Sequence, residues 1–491
     1  MAFHIPTLIA AIQLLRLRTA TALAATAILA VGCATNPATG KRELSLIGTG
    51  QEIAMGQEGA KAAASQMGIY PDSSIQRYVS SLGMPIAKAS ERPELPWSFT
   101  VVDDPIVNAF ALPGGPIFVS RGILAYMNSE AQLVSVLGHE IGHVTAKHSV
   151  NQMSKQQVFQ IGLIGAMVVK PELQQFGDVM SQGLGVLFLK FGRDDETQAD
   201  ELGFRYMTAQ NYHPREMAEM FKILDRTSGG EGSRGTPEWL STHPNPGNRV
   251  AKTMERIAAA NRSFDGFKVE HTGFLRRIDG LVFGDDPRAG YFVQSAFIHP
   301  TLKFRFDFPG GWKHQNMAEQ VIGVSGQGDA QIALSLAGNV SPQQALSKFL
   351  GQQGVQAGQT YTSPINGNQA AVGQFVAQIA ENKQLAGYVA YIQQDGTTYQ
   401  LLAITPRQQI GAYDAAFRST IGSFQRLTDP QLMNVRPARL RIVPIRSAMT
   451  LTQFNQQYPS TIPIAQLALI NATTPDAMLP AGTLVKRIVV E

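Results

Sequence analysis

Cysteine is nearly absent from the sequence, in which Cys33 is the single cysteine among 491 residues. An intramolecular disulfide is therefore excluded, and the fold has to be held by a hydrophobic core. Hydrophobic residues make up 44% of the chain, which is enough for such a core. At roughly 100–200 residues per domain, the length predicts two or three domains.

Charge is also scarce, with 16% charged residues and a formal net charge of +4. Arg16 and Arg18 supply half of that excess, and they belong to a segment that we expect to be removed, which leaves +2. The sequence has no run of Lys and Arg interleaved with aromatic residues. A protein so close to neutral and without a basic patch is not expected to bind nucleic acid.

Long apolar runs are missing beyond the N-terminus. The best candidate, 158–169, has 12 residues and contains Gln160, whereas a membrane span takes about 20. At the N-terminus two arginines precede the small and apolar residues 19–31, and Gly32 follows. This order is typical of a secretory signal, so we predict that 1–32 is a signal peptide.

The segment Leu29–Cys33 resembles a bacterial lipoprotein signal, although Ala30 stands where that pattern prefers Leu. In such signals the cysteine becomes the lipidated first residue. We therefore predict lipidation of Cys33, followed by a polar leader over 33–49. Ala34 stands where inner-membrane retention signals of enteric bacteria place Asp, which favours a periplasmic protein anchored at the outer membrane. An incidental cysteine in a plain signal or anchor helix is the alternative.

The periodicity of apolar residues changes twice along the chain. Over 50–265 it is helical, with two short strand-like runs, which predicts a mostly helical domain with a small β-sheet. Short alternating strands and two helices follow over 285–427 and predict an α+β domain. A Pro-containing junction leads to a small unit at 437–491. We expect a multidomain α+β protein.

His139-Glu140-x-x-His143 lies in a predicted helix that begins after the N-cap Ser129 and runs to about residue 150. Residues four apart share one helix face, so both imidazoles can bind a single Zn²⁺. Glu140 is then placed as the general base for a water polarised by that ion. Because two His and one Glu meet this spacing in roughly one such chain in a hundred, a third ligand is needed as support.

Neither His148 nor position 149 can supply the third zinc ligand, whereas an acidic pair further along the chain can. His148 is about 140° round the helix from the ligand face, so we interpret it as a polar helix-end residue, and Ser149 stands where a longer zincin pattern has its third His. Glu196 and Asp200 share a predicted helix face. Glu196 is the predicted third ligand, with Asp200 accepting a hydrogen bond from the far nitrogen of a ligand His. A solvated acidic helix start is the alternative.

Several separated motifs together resemble the HtpX/CAAX-prenyl-protease family of zinc metallopeptidases, and within it the periplasmic BepA-like proteases of outer-membrane quality control. The resemblance covers about 36–262. It is carried by the leader 36–42, the segment 108–115, His139–His143, Glu196–Asp200 and the segment 241–244.

The resemblance implies a zincin-type peptidase domain with one zinc ion and an edge strand beside the metal. Asn108, Ala109, Phe110 and Ala111 would lie on this strand and bind an extended substrate through their backbone. An ordinary hairpin with a Pro-Gly-Gly turn is equally compatible with these residues.

His243, by the same resemblance, would approach the zinc. It would act either as a fourth ligand in a latent state or as a catalytic donor to the tetrahedral intermediate. Arg249 could pair with a carboxylate or with the oxyanion. For His243 the alternative is a helix-capping residue.

The C-terminal half shows no catalytic pattern. Residues 285–427 resemble a PsbP/Mog-type α+β sandwich. Residues 437–491 resemble a LysM module, a small peptidoglycan-binding βααβ unit, but Ala448 and Met449 replace its usual Gly-Asp. Peptidoglycan binding and a purely structural role are both compatible with this unit.

These observations predict a lipid-anchored zinc endopeptidase that hydrolyses peptide bonds in misfolded or unassembled cell-envelope proteins. Two alternatives from other classes stay open: an envelope chaperone or scaffold with a latent peptidase site, and a peptidoglycan-binding protein.

Overall fold

The computed structural model of the chain describes residues 33–167, 191–228, 243, 246–380 and 383–491. The predicted signal peptide, 1–32, lies outside this range, as do Ser241, Thr242 and Pro244 of the segment 241–244. Within the described ranges, no helix combines the length and the apolar character that a bilayer span requires.

The N-terminal domain is mostly helical and holds one three-stranded sheet. Its helices are α1 (Thr49–Met67), α2 (Ser73–Lys88), α3 (Arg121–Tyr126), α4 (Glu130–Thr145), α5 (His148–Met167), α6 (Arg193–Ala209), α7 (Arg215–Ser228), α8 (Pro246–Ala259) and α9 (His271–Arg277). Its strands are β1 (Cys33–Thr35), β2 (Arg42–Leu44), β3 (Ser98–Val102), β4 (Ala109–Ala111) and β5 (Pro116–Ser120).

Helix α4 is the central element of this domain. The hydroxyl of Ser129 caps its start by accepting a hydrogen bond from the backbone N–H of Gln132 at 3.2 Å. Every residue from Ala131 to Thr145 is buried. The helix ends at Thr145, five residues before the predicted end near 150, and Lys147 then takes a left-handed backbone conformation with φ 58°. The chain therefore turns before α5 begins.

The small sheet has the strand order β3-β5-β4, with β3 and β5 parallel and β4 and β5 antiparallel. Strand β4 lies at an edge and packs beside α4. The turn between β4 and β5 contains Gly114 and Gly115, both at positive φ. A Cβ on Gly114 would lie 2.7 Å from the Cα of Ile53, so this turn fits against α1 because it is made of glycine.

A buried ion pair joins α1 to the end of α4. The Arg92 guanidinium donates to both oxygens of Glu52, at 2.7 and 2.8 Å, and to the carbonyl of Val144 at 3.0 Å. Glu52 also accepts a 3.3 Å hydrogen bond from the N–H of Gly114. The pair thus ties the edge-strand turn to the helix that carries the His-Glu-x-x-His motif.

The leader also packs on this region. The Asn36 amide donates a 3.0 Å hydrogen bond to the carbonyl of Ala146, and the Leu46 N–H donates to the Ser154 hydroxyl at 3.0 Å. Strands β1 and β2 pair antiparallel, with Cys33 opposite Leu44. The leader is therefore an ordered part of the domain from its first described residue.

The middle domain is built on a seven-stranded antiparallel sheet with the order β12-β13-β14-β15-β11-β10-β9. A four-stranded sheet of order β16-β8-β7-β6 and helix α11 share one core with it, and α10 packs in a second core. Its elements are β6 (Tyr291–Val293), β7 (Ala296–His299), β8 (Phe304–Asp307), β9 (Lys313–Asn316), β10 (Gln320–Val324), β11 (Gln331–Gly338), α10 (Pro342–Leu350), β12 (Val355–Thr362), β13 (Gln369–Ala380), β14 (Lys383–Gln394), β15 (Thr397–Pro406), α11 (Ile410–Ser423), β16 (Gln425–Arg426) and α12 (Pro430–Met433).

The C-terminal unit follows the order β17 (Ala438–Pro444), β18 (Met449–Thr450), α13 (Leu451–Gln457), α14 (Ile464–Ile470), β19 (Met478–Leu479) and β20 (Leu484–Val490). Strands β17 and β20 pair antiparallel. Its two helices between two main strands match the predicted βααβ order, while its LysM-like character stays a prediction.

This unit shares one hydrophobic core with the N-terminal domain. Lys486 on β20 is fully buried. Its ammonium donates to the carbonyls of Ala125 at 3.0 Å, Met127 at 2.5 Å and Ile470 at 2.8 Å. Two of these carbonyls stand at the end of α3, directly before α4. The C-terminal unit therefore completes the peptidase-type domain instead of standing apart from it.

Candidate metal centre

Two helices without bulky side chains at their contact bring the predicted ligands together. At the crossing of α4 and α6, a Cβ on Gly138 would lie 3.2 Å from the Cα of Gly203, and one on Gly142 would lie 3.1 Å from the carbonyl oxygen of Ala199. Small residues let helix backbones approach closely. As a result Glu196 and Asp200 of α6 reach the histidines of α4.

Four buried side chains form a cluster in which one ligand atom from each lies within 4.8 Å of the others: His139, His143, Glu196 and His243. The two Nε2 atoms of His139 and His143 are 3.0 Å apart. Nδ1 of His243 is 2.8 Å from Glu196 Oε1 and 3.3 Å from His139 Nε2. Oε2 of Glu196 lies 3.5 Å from Nε2 of His139, and Oε1 of Glu196 lies 3.5 Å from Nε2 of His143. The three predicted ligands therefore converge, and His243 joins them.

The donor set fits zinc. Zinc takes nitrogen and oxygen ligands at about 2.0–2.2 Å in a tetrahedron, which places neighbouring ligand atoms roughly 3.4 Å apart. The five separations given above, 2.8–3.5 Å, lie near that spacing, within the overall limit of 4.8 Å. Among the described residues, Oε2 of Glu196 is buried without a hydrogen bond and forms an ion pair with Nη1 of Arg249 at 3.4 Å. A bound cation would satisfy this oxygen.

Burial keeps the histidines in the form that binds metal. It lowers the pKa of His139 to about 4, with the positive charge of Arg249 acting in the same direction. It also lowers the pKa of His143, to which the neighbouring His139 adds. Burial alone would raise the pKa of Glu196, but the charge and hydrogen bond of His243 outweigh it and lower that pKa. Near pH 7 His139 and His143 are therefore neutral, and Glu196 is a carboxylate.

Glu140 lies beside the cluster and outside it. Its Oε1 is 3.7 Å from Nε2 of His243. Within the part of the chain that the structure describes, no hydrogen bond of good geometry reaches either oxygen of this fully buried carboxyl, although the backbone N–H of Ala111 approaches it. Burial raises its pKa, and the negative charge of Glu196 raises it further. A buried carboxyl with a raised pKa is suited to accepting and returning a proton.

Asp200 and Arg249 support the cluster from behind. Asp200 Oδ1 lies 2.9 Å from Nδ1 of His139, so the far nitrogen of this histidine donates to it. Arg249 holds the same carboxylate through a fork, with Nε 2.8 Å from Oδ2 and Nη2 2.6 Å from Oδ1. Of the two roles predicted for Arg249, the structure shows the pairing with a carboxylate.

His148 lies at a helix end, since it begins α5, but it is not remote from the motif. His148 is buried, and its Nδ1 lies 2.9 Å from Nδ1 of His143. The predicted rotation of about 140° holds only for one continuous helix, whereas α4 ends at Thr145 and the positive φ of Lys147 turns the chain back toward the motif. His148 does not belong to the four-residue cluster.

The structure places the predicted substrate segment on the edge strand. Ala109, Phe110 and Ala111 form β4. Asn108 lies directly before the strand, and its N–H donates to the Ser120 hydroxyl at 3.2 Å. The N–H of Leu112 donates to the carbonyl of Pro116, and the carbonyl of Asn108 accepts from the N–H of Ser120. Because every second residue of an antiparallel strand bonds to the same neighbour, the backbone groups of Phe110 also face β5. The N–H and C=O groups of Ala109 and Ala111 consequently face the open edge.

Three residues of the site were not predicted from the sequence. Gln198 accepts a 2.7 Å hydrogen bond from Nε2 of His148. Phe191 stacks on the His143 ring with centroids 4.0 Å apart. Gly203 provides the close helix contact. No local pattern in the sequence indicated these residues, since Gln198, two residues from both Glu196 and Asp200, is expected on the other side of the helix.

Comparison with known proteins agrees with this geometry. Residues 73–257 match the model of Peptidase family M48. Beta-barrel assembly-enhancing protease of Escherichia coli (strain K12) is 29% identical over 233 residues, 45% of this chain and 47% of that protein. Mitochondrial metalloendopeptidase OMA1 is 32% identical in Arabidopsis thaliana, over 38% of each chain. In Schizosaccharomyces pombe it is 30% identical, over 46% of this chain and 66% of that protein.

This chain carries a Peptidase family M48 domain, of the zinc-dependent metallopeptidase type, which confirms the resemblance drawn from the motifs. The chain spans about half the length of the curated relatives it matches. Cyanobacterial PsbP from Synechocystis sp. PCC 6803 matches with a TM-score of 0.24 and 11% identity, over 28% of this chain and 95% of that one. At this TM-score the PsbP/Mog-like assignment of 285–427 stays a prediction.

Proposed function

We propose that the M48 domain of this chain is a zinc-dependent endopeptidase that cleaves misfolded or unassembled proteins of the bacterial cell envelope. The observation that carries the proposal is the convergence of His139, His143 and Glu196 beside the buried carboxyl of Glu140. These three side chains would hold the zinc ion. Bound zinc supplies Lewis acidity, which polarises a peptide carbonyl and makes water a stronger acid.

Glu140 moves the proton. As the general base its carboxylate takes a proton from the attacking water, and it then delivers that proton to the leaving amine. Its raised pKa favours the first transfer, because the protonated carboxyl is stable in this buried site. His243, 3.7 Å from Glu140, is placed to donate to the developing oxyanion.

Strand β4 orients the substrate. An extended peptide that pairs with the open groups of Ala109 and Ala111 adds a fourth strand to the sheet beside α4. Backbone pairing selects for an extended, unfolded segment and not for a particular side chain. This supports misfolded or unassembled proteins as the substrate class.

Proteolysis of an unfolded model substrate tests the function. The wild-type protein with zinc is expected to cleave it, and Glu140→Gln is expected to lose about 10²–10⁴ of the rate while it keeps its zinc. Glu255→Gln, at an exposed position of α8, is the matched control and should cleave normally. Equal rates for wild type and Glu140→Gln would refute the proposal.

A latent peptidase is the second candidate, and the position of His243 favours it. With Nδ1 2.8 Å from Glu196 and 3.3 Å from His139, this side chain occupies the place of a fourth donor. A fourth protein donor would exclude water from the site. His243→Ala should raise the cleavage rate if the residue blocks the site, and lower it if the residue donates to the oxyanion.

The envelope location rests on the lipoprotein-like signal before Cys33 and on similarity to the Escherichia coli protease whose name describes β-barrel assembly. We place the protein in the periplasm, attached by lipid at Cys33 to the outer membrane. Labelling with radioactive palmitate, followed by membrane fractionation, tests this. The label should enter the wild type and not Cys33→Ser. Equal labelling of Cys33→Ser would exclude Cys33 as the site of lipid attachment.

A further inference from the structure

His148 is a buried histidine that the proposed reaction does not use. It opens α5, its side chain is 2% exposed, and its ring contacts a predicted zinc ligand. Both of its nitrogens are engaged, Nδ1 with Nδ1 of His143 at 2.9 Å and Nε2 with Oε1 of Gln198 at 2.7 Å. A buried imidazole with both nitrogens engaged is held in one orientation.

The partners determine where the protons lie. Nε2 of His148 faces two acceptors, the Gln198 carbonyl oxygen and, at 3.9 Å, the carboxylate of Asp195. This nitrogen therefore carries the hydrogen, and in the neutral ring Nδ1 is left with a lone pair. The lone pair accepts a hydrogen bond from Nδ1–H of His143. Nε2 of His143 consequently presents its own lone pair to the metal cluster.

The arrangement has a counterpart at the other ligand. Nδ1 of His139 donates to Asp200 at 2.9 Å, so Nε2 of His139 presents its lone pair to the metal cluster in the same way. Each α4 histidine thus has one acceptor behind it, a carboxylate for His139 and an imidazole for His143. Phe191, stacked at 28° on the His143 ring, restricts the plane of that ring.

We propose that His148 is a positioning residue for the zinc ligand His143: oriented by Gln198, it fixes the tautomer and the ring orientation in which Nε2 of His143 binds the metal. The inference rests on the proposed function only in that the cluster holds zinc. Loss of such an outer partner typically weakens metal affinity by about 10–100-fold.

The test measures metal binding and not proteolysis, in full-length protein carrying Glu140→Gln so that the samples do not digest themselves. Zn²⁺ affinity is measured by competition with a chelator, and the visible absorption spectrum is recorded after loading with Co²⁺. His148→Phe keeps the ring shape and removes the acceptor, whereas His148→Asn places an amide oxygen near the position of Nδ1. His299→Phe makes the same change in the middle domain.

His148→Phe is expected to bind Zn²⁺ about 10–100-fold more weakly and to shift the Co²⁺ spectrum. His148→Asn and His299→Phe should stay within about threefold of the parent affinity, with its spectrum. A general packing defect would weaken His148→Asn as well, so rescue by Asn separates positioning from structure. Parent-like affinity and spectrum in His148→Phe would overturn the proposal.

A second pair of variants covers the case in which His148→Phe does not fold. Gln198→Leu removes the acceptor that orients His148, while Gln198→Glu keeps it. The first should weaken Zn²⁺ binding and the second should not, and equal affinities would overturn the proposal. If the parent protein itself bound no Zn²⁺, the proposed peptidase function would fail first, so the two failures are distinguishable.

Discussion

Gly203 of α6 lies against the backbone of His139 on α4, so closely that a Cβ at position 203 would be 3.0 Å from the His139 nitrogen. This contact sets the distance between the helix that carries two of the proposed zinc ligands and the helix that carries the third. Because the atoms nearest that Cβ belong to the backbone of α4, no flexible side chain can move away to make room for it.

Gly203→Ala should therefore push α6 away from α4. We expect a loss of about 1–3 kcal/mol in the free energy of unfolding, from overpacking, and weaker retention of zinc. Urea unfolding and chelator competition measure the two effects. Gly411→Ala is the control, because the space around that helical glycine is open and the change should be neutral or slightly stabilising. Unchanged stability and zinc retention in Gly203→Ala would contradict the role of the contact.

The outward N–H of Ala111 provides a test of substrate pairing. Proline is tolerated on an edge strand where the N–H faces outward, so Ala111→Pro should fold while losing one hydrogen bond to the substrate and the approach of this N–H to Glu140. A hydrogen bond contributes about 0.5–1.5 kcal/mol, so kcat/KM should fall about 2- to 13-fold. Ala111→Gly keeps the N–H and should lose less. Equal kcat/KM for the Pro and Gly variants, with normal zinc content, would argue against pairing at β4.

The buried ammonium of Lys486 is expected to contribute to the stability of the fold. Lys486→Met removes the donor from three buried carbonyls, and an unsatisfied buried acceptor costs about 1–3 kcal/mol. We expect the denaturation midpoint to fall by a corresponding amount. Lys61→Met, at an exposed site on α1, should have little effect. A midpoint for Lys486→Met at or above that of wild type would show that relief from burying the ammonium outweighs the lost hydrogen bonds.

His299 of the middle domain should make stability depend on pH. Burial lowers its pKa to about 4, and its Nδ1 accepts a 3.2 Å hydrogen bond from the N–H of Leu302. The unfolded chain, with a His pKa near 6.5, binds the proton first, so stability is lost as pH falls from about 6.5 toward 4. Between pH 7 and pH 5 this loss is about 2 kcal/mol.

Urea unfolding of wild type and His299→Phe at these two pH values isolates that contribution. The drop in stability between pH 7 and pH 5 should be smaller in the variant, since every other histidine is common to both proteins. An identical drop in the two proteins would contradict the assignment to His299.

The sequence allowed the prediction of elements set by local rules. Ser129 caps α4 as expected, and Glu196 and Asp200 share a face of α6 because they are four residues apart. The central, buried position of α4 was harder to predict from the sequence, since residues such as Ser135 and Thr145 are polar and yet buried. Their burial depends on the elements packed around the helix, which local periodicity does not describe.

The role of His148 escaped prediction for a specific physical reason. Helical geometry gives correct angles only while the helix continues, and no local rule indicated that Lys147 would adopt a positive φ. The contact of Gly138 with Gly203 was similarly hidden, because it joins residues distant in sequence. Chain reversals and long-range contacts of this kind are decided by the whole fold.

Lys486 is 361 residues beyond Ala125 in sequence, and yet its ammonium binds the carbonyl of that residue. A ribosome or an export channel delivers helix α4 long before the strand that completes its surroundings. During that interval the N-terminal domain lacks part of its core. That core can therefore close only after the middle domain, residues 285–427, has also been synthesised.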